Sequence, residues 1–141
     1  IAIDMPAGEG CRWESGEVGV HFSNEDGERL LVLTTRMFDR WGLTDDQRTT
    51  VLGRTLSEAE ALVRDSERAS ERDELHLRMS HLMGIWASLQ NMYPHNPEIV
   101  QQWMSRPDRR IDGATPLQWI DEEGIEALEG LRDLLDHELT K

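Results

Sequence analysis

Residues 95–138, HNPEIVQQWMSRPDRRIDGATPLQWIDEEGIEALEGLRDLLDHE, decide how this chain folds. Apolar side chains recur at the spacing of one helical face across Pro97–Ser105. That helix must stop at Arg106-Pro107, because proline cannot donate the next helical hydrogen bond and moves the residue before it out of the helical region. Thr115-Pro116 then has the chemistry of an N-cap followed by the first helical residue. The stretch therefore predicts three short helices joined by two loops, the last helix beginning near Gly124.

The same periodicity predicts which side chains of these helices face a core. Apolar residues recur at i, i+1, i+4 and i+5 in the first helix, and those of the last helix keep a spacing of three and four residues for about three turns. Trp103 is expected in the core. Trp119 either faces inward with Leu117 and Ile120 or is exposed, and of the two tryptophans it is the better candidate for an exposed aromatic anchor. The other residues that we expect to face inward are Ile99, Val100, Met104, Leu117, Ile120, Ile125, Leu128, Leu131, Leu134 and Leu135.

The loop between the first two of these helices carries three arginines, Arg106, Arg109 and Arg110. Its Asp112-Gly113 pair is turn chemistry that tolerates positive φ. Planar guanidinium groups on a loop held between two helix ends suit carboxylates or a phosphate-binding pocket of a partner. The alternative is that one or two of these arginines pair with neighbouring acids such as Asp108 or Asp112.

Four more helices are predicted before this stretch. We expect them over Arg29–Trp41, Thr44–Leu52, Leu56–Ser66 and Ala69–Tyr93, with Gly42 and Gly53 closing the first two. Thr44 and Gln47 have the spacing of a capping box, and Ser57 and Ser70 are the expected N-caps of the later pair. The expected inner residues are Leu30, Leu33, Met37, Phe38 and Trp41 in the first helix and Ala59, Leu62 and Val63 in the third.

The longest of these helices, Ala69–Tyr93, is predicted to be the spine that joins both halves of the chain. One wide apolar stripe runs along it, broad enough to be buried from two sides. Gly84 within it predicts that another helix crosses close by, because glycine destabilises a helix interior by about 1 kcal/mol. The stripe consists of Leu75, Met79, Leu82, Met83, Trp86, Leu89 and Met92.

The ordered series of motifs resembles the toxin-binding domain of the Xre/MbcA/ParS family of bacterial antitoxins. The matching elements are Leu82-Met83-Gly84-Ile85, Leu89, Tyr93-Pro94, Trp103-Met104, Arg106-Pro107-Asp108, Gly113, Thr115-Pro116-Leu117, Gly124 and the leucines of the last helix. The resemblance implies an antitoxin that sterically neutralises a RES-domain, NAD-consuming toxin by covering its active-site cleft. The toxin-binding residues that we expect on this basis are Arg106, Pro107, Arg109, Arg110, Gly113, Pro116 and Trp119.

The resemblance also implies an Xre-like helix-turn-helix in residues 28–68, and with it a second function. On this alternative the chain is a DNA-binding autoregulator of its own operon, with the toxin as co-repressor, and Arg54, Arg64 and Arg68 contact operator DNA. The third helix departs from the family's pattern at Leu62-Val63-Arg64-Asp65, so the competing interpretation is a helical scaffold. We also expect that two copies form a homodimer.

Composition limits the classes of function that remain. The 141 residues contain 15 Lys plus Arg and 28 Asp plus Glu, and this net charge of −13 disfavours blanket attraction to nucleic acid or an anionic membrane. Cys11 is the single cysteine, no apolar run is long enough to span a bilayer, and no signal segment opens the sequence, so we expect a cytoplasmic protein. The chain opens at Ile1, and we expect the natural protein to have residues before it.

No pattern in the sequence predicts an enzyme. The five histidines form no i, i+4 pair, no glycine-rich phosphate loop is present, and the acidic runs fit solvated helix faces. We therefore expect no catalytic residue, no metal and no cofactor.

The predicted fold class is all-α: a small bundle with a helix-turn-helix-like N-terminal part and a C-terminal three-helix toxin-binding lobe. The expected divisions are an arm over 1–27, the Xre-like region over 28–68, and the connecting helix with the toxin-binding domain over 69–141. The arm is acidic, and the alternation of Val18, Val20 and Phe22 predicts a short β-strand within it.

Overall fold

A computed structural model describes residues 24–65 and 67–139, and in this part of the chain the regular structure is all helical. The α-helices are α1 (Asn24–Trp41), α2 (Asp45–Leu52), α3 (Leu56–Val63), α4 (Ala69–Met92), α5 (Pro97–Gln102), α6 (Pro116–Glu123) and α7 (Ile125–Leu139), with 3-10 turns at Trp103–Ser105 and Arg109–Ile111. No helix of the described part is both long and apolar enough to cross a membrane. Cys11 and the predicted β-strand over 18–22 lie outside the described residues.

Threonines begin three of these helices. Thr44, Thr55 and Thr115 each accept a hydrogen bond from the third backbone N–H of the helix that follows, and the Gln or Glu at that position accepts one from the threonine N–H. The predicted caps at Thr44 and Thr115 are confirmed. Those at Ser57 and Ser70 are wrong, because Thr55 with its reciprocal Glu58 caps α3 two residues earlier, and α4 starts after Arg68 without a side-chain cap.

Helix α1 buries a face that is rotated from the predicted one. Leu31 and Thr34 are buried, whereas Leu33, which the periodicity placed inside, is 49% exposed. Leu30 is only partly buried. Four successive apolar residues, 30–33, fit two helical phases equally well. The phase with Thr34 inside is tolerated because its hydroxyl donates a 2.7 Å hydrogen bond to the Leu30 carbonyl.

Helix α4 is the centre of the bundle, as its stripe predicted. It packs against α1, α2, α3, α5 and α7. Its fully buried residues are Leu75, Met79, Leu82, Ile85 and Leu89. The crossing predicted at Gly84 is confirmed, because a Cβ built there would lie 2.5 Å from Nε of Arg132 on α7.

A single hydrophobic core runs through all seven helices. The indole of Trp41 joins three of them, since its Nε1 donates a 2.8 Å hydrogen bond to the carbonyl of Val100 on α5 and its ring lies 5.3 Å from that of Trp86 on α4. The inward positions predicted in α3 are confirmed, with Ala59, Leu62 and Val63 at most 1% exposed.

Arg78 of α4 contacts two turns of the fold, the one after α2 and the one between α6 and α7. Its Nε donates to Glu74 Oε2 at 2.7 Å and its Nη1 donates to the carbonyl of Val51, at the end of α2, at 3.1 Å. The guanidinium also lies against Gly53, after α2, and Gly124, between α6 and α7; a Cβ at either glycine would come within 3 Å of it. Both glycines have positive φ, so each is required for its turn and for this close approach.

Candidate protein-binding site

The loop between α5 and α6 is closed on itself by backbone hydrogen bonds. The N–H of Asp108 donates to the carbonyl of Ala114 at 3.0 Å, and the N–H of Gly113 donates to the carbonyl of Asp108 at 2.9 Å. Asp112 takes the left-handed conformation with φ 59°, as the Asp-Gly turn chemistry predicted. The segment therefore holds its side chains on a fixed backbone.

Arg110 belongs to the internal structure of this loop. Its Nε and Nη2 donate to the two carboxylate oxygens of Asp108 at 3.0 and 2.7 Å, and its Nη1 lies 3.3 Å from Oε2 of Glu138 on α7. The hydrogen bonds from Arg110 hold the pKa of Asp108 below its usual value, and those to Asp108 raise the pKa of Arg110. The alternative in which an arginine pairs with Asp108 is thus confirmed for Arg110.

Arg106 and Arg109 differ from Arg110 in their surroundings. Both are exposed, on either side of the pinned Asp108 backbone. Within residues 24–65 and 67–139, no carboxylate forms an ion pair with either of them. The loop therefore presents two outward guanidinium groups, each with five N–H donors, on a backbone that is already ordered.

The other predicted toxin-binding residues are distributed between surface and interior. Pro107 and Gly113 are exposed, whereas Pro116 is buried at the first position of α6. The expectation that Trp119 is an exposed aromatic is wrong, because the ring is partly buried over Gly130 of α7, where a Cβ would lie 2.4 Å from its Cη2 atom. The exposed part of the site consists of the loop and not of an aromatic anchor.

The arginines predicted to contact DNA all have carboxylate partners in the same part of the fold. Arg54 is 18% exposed at its side chain and lies 3.5 Å from Glu74; Arg64 lies 2.7 Å from Glu28 on α1. Arg68 donates two 2.8 Å hydrogen bonds to Glu71. The turn of residues 53–55 between α2 and α3 has the length of a helix-turn-helix connection. The charges of Arg54 and Arg68 both act on Glu58 and on Glu71, so these two guanidinium groups lie in one acidic neighbourhood.

The roles of two residues, Glu138 and Arg78, could not be recognised from the sequence. Glu138 lies 28 residues from Arg110 and has no local signal that connects it to the loop. Arg78 resembled any other arginine on the polar side of a helix. Asp108 did carry a signal, because an aspartate two residues before a loop residue commonly accepts that residue's backbone N–H, as Asp108 does from Arg110 at 2.8 Å.

Metal-binding geometry is not found in the described residues, where no three His, Cys, Asp or Glu side chains are grouped to hold an ion. In comparisons with known proteins, no family model, no curated protein and no solved structure matches the chain.

Proposed function

We propose that this protein is an antitoxin of a type II toxin-antitoxin system, which binds and sterically neutralises a RES-domain, NAD-consuming toxin in the cytoplasm. The observation that carries the proposal is the loop between α5 and α6, whose backbone is closed by its own hydrogen bonds and whose Arg106 and Arg109 are exposed. Its support from sequence is the motif series of the Xre/MbcA/ParS family, in which this loop is the Arg-Pro turn. No residue of the chain has a catalytic role in this proposal.

The physical basis of inhibition is occupation of a cleft by a surface that is ordered before binding. A guanidinium offers two parallel N–H donors to a carboxylate, and such pairs are stronger than neutral hydrogen bonds. Because the loop backbone is closed by its own hydrogen bonds and by Arg110, little conformational entropy is lost when it docks. The chain as a whole has a net charge of −13, which favours encounter with a basic partner.

The proposal is tested by changing one outward arginine and measuring affinity for a RES-domain toxin encoded beside this chain. Arg109→Glu reverses a charge and removes no side-chain hydrogen bond or ion pair of the loop, so we expect the dissociation constant to rise by at least about tenfold in calorimetry. Arg68→Glu is the matched control, since it makes the same charge change at the start of α4. Equal affinity of both variants and the wild type would refute a role for the loop.

The alternative function, DNA-binding autoregulation with the toxin as co-repressor, is favoured by one observation: the α2–turn–α3 arrangement with a three-residue connection. The pairing of Arg54, Arg64 and Arg68 with glutamates argues against it. A gel shift with the DNA upstream of the gene, repeated from low to physiological salt, decides the question. Phosphate contacts give binding that weakens steeply with salt, and an unshifted fragment at low salt excludes this function.

A further inference from the structure

A groove between α1 and α4 has a mostly apolar lining. Its volume is about 430 Å³, and the side chains of Met37, Met83 and Trp86 form its floor. Met37 is buried, whereas Met83 and Trp86 are partly buried. Leu33, which is 49% exposed, and the exposed Ala87 also line the groove. Because methionine is flexible and the indole ring is large, such a surface can pack against an apolar partner.

The charged residues that line this groove are all basic. Arg36 and Arg40 complete the lining, one turn apart on the exposed side of α1, and no carboxylate joins them there. Asp39, which lies between them in the sequence, is held by Arg48 at 2.8 Å. Neither Arg36 nor Arg40 forms an ion pair with another residue in the described part of the chain. In a chain with 28 Asp plus Glu, the groove is therefore a local reversal of the overall charge.

We propose that this groove binds an acidic amphipathic helix of a partner protein. In this mode of recognition, apolar residues at positions i, i+3, i+4 and i+7 of the bound helix enter the groove. Two carboxylates four residues apart on that helix have the same spacing as Arg36 and Arg40, which are four residues apart on α1. Each guanidinium can therefore bind one carboxylate of a helix that runs along α1. The groove is separate from the loop between α5 and α6, so this inference does not depend on toxin binding.

Charge and lining favour an acidic helix over a nucleic acid or an anionic membrane. Nucleic acids are bound through many phosphate contacts, whereas this groove offers two arginines on a chain with a net charge of −13. The same net charge repels an anionic membrane. An apolar floor gives no contact to a phosphate backbone, but it removes the apolar face of a helix from water. An acidic amphipathic helix is therefore the occupant that uses both the floor and the arginines.

The first test is the binding of a labelled, designed peptide to the purified full chain, measured by fluorescence anisotropy. The peptide has about 18 residues, with leucines spaced three and four apart and glutamates on both flanks, and a second peptide has lysine in place of each glutamate. We expect a dissociation constant of about 100 µM or tighter for the glutamate peptide and at least about tenfold weaker binding of the lysine peptide. Equal binding of the two peptides, or no binding of the glutamate peptide at about 1 mM chain, would overturn the proposal.

The second test asks whether the glutamate peptide lies in this groove. Arg36→Glu reverses a charge of the lining and Ala87→Glu adds a carboxylate at an exposed position, so each variant should bind the peptide at least about tenfold more weakly. Arg68→Glu and Leu77→Glu are the matched controls, because they make the same two charge changes outside the groove. With circular dichroism showing that all four variants are folded, a groove variant that binds like the wild type, or a control that loses as much affinity, would overturn the assignment.

Other occupants of the groove are separated by two further measurements. Sedimentation equilibrium of the chain without peptide should show no association that depends on the groove. Association that Ala87→Glu abolishes would show that a second copy fills the groove, and this would overturn the proposal. Duplex DNA should not displace the labelled glutamate peptide. Displacement would assign the groove to nucleic acid and would also overturn the proposal.

Discussion

The arginines near the α2–α3 turn and those of the loop between α5 and α6 carry the same charge and have different surroundings. Around the turn, each of Arg54, Arg64 and Arg68 lies against a glutamate of the same region. In the loop, Arg110 forms ion pairs with Asp108 and Glu138, whereas Arg106 and Arg109 are exposed and form no such pair with the described residues. Availability for a partner is therefore decided by nearby carboxylates and not by the number of arginines, and this favours the loop as the recognition site.

Arg78 extends the comparison to the interior. Its side chain is only 11% exposed and its donors are used by Glu74 and the Val51 carbonyl. Replacing it as Arg78→Met leaves both acceptors without that donor in a partly desolvated place, and we expect a loss of about 2–3 kcal/mol in the free energy of unfolding. Arg64→Met, which breaks a pair that is 68% exposed at the arginine, should cost under about 0.5 kcal/mol.

Urea unfolding of the two variants beside the wild type measures the difference. Similar losses of unfolding free energy for Arg78→Met and Arg64→Met would mean that burial of the side chain does not determine how much each arginine stabilises the fold.

Gly42 and Gly53 have the same φ of +77°, and of the two only Gly53 lies against Arg78. Gly42→Ala introduces a Cβ into open space, so only the left-handed backbone conformation opposes it, at about 1 kcal/mol. Gly53→Ala meets the same strain and also places the Cβ 2.8 Å from the Arg78 guanidinium carbon, which must move away from Val51. We expect a total loss of about 2 kcal/mol, read from chemical unfolding.

The double variant Gly53→Ala with Arg78→Met identifies the source of that difference. If the Arg78 contact causes it, the additional cost at Gly53 disappears when the guanidinium is absent. Additive losses would contradict this explanation.

Within the loop, Arg110 and Arg106 are expected to differ in stability as they do in contacts. Arg110→Met removes a two-oxygen contact to Asp108 at a side chain that is 34% exposed, so we expect a loss of about 1 kcal/mol after allowance for solvent screening. Arg106→Met should leave the unfolding free energy within about 0.5 kcal/mol of the wild type. Thermal unfolding distinguishes the two variants. A larger loss of stability for Arg106→Met than for Arg110→Met would show that Arg106, and not Arg110, supports the structure of the loop.

The smallest expected effect concerns pH and contrasts a buried histidine with an exposed one. His76 is 2% exposed, and burial lowers its pKa below the ordinary value of 6.5. The unfolded chain therefore takes up a proton first, so stability is complete above about pH 6.5 and falls as the pH drops from there towards the folded pKa. The pKa of His81 is lowered by burial and by Arg132, which adds to the same slope.

Unfolding free energies between pH 8 and pH 5 test this sign. His76→Gln should reduce the loss on the acid side, whereas His95→Gln, at an exposed position before α5, should leave it as in the wild type. The opposite result would be a wild type that is more stable at pH 5 than at pH 8 and a His76→Gln variant that lacks this increase. It would mean that folding raises the pKa of His76.

The helices could be predicted from sequence because their signals are local. Thr44 and Thr115 as caps, Pro107 as a terminator and the α4 stripe each depend on residues within one or two turns. Local signals failed where two solutions were nearly equal: the Leu30-to-Leu33 run did not fix the phase of α1, and Ser57 competed with Thr55 as a cap.

The site could be predicted only in part. The cluster of arginines and the turn at Asp112 were readable, because they lie within one loop. The separation of Arg110 from its neighbours depends on Glu138, and the burial of Trp119 depends on the absence of a side chain at Gly130. Both partners come from α7 across the fold, and no periodicity in the loop itself reports them.

Steric neutralisation of the partner can be measured as the rate of NAD consumption by a RES-domain toxin encoded beside this gene, titrated with the purified chain. We predict stoichiometric inhibition by the wild type and by Arg68→Glu, and inhibition at least about tenfold weaker by Arg109→Glu. Undiminished NAD consumption at saturating wild-type chain, or equal inhibition by all three proteins, would contradict the account.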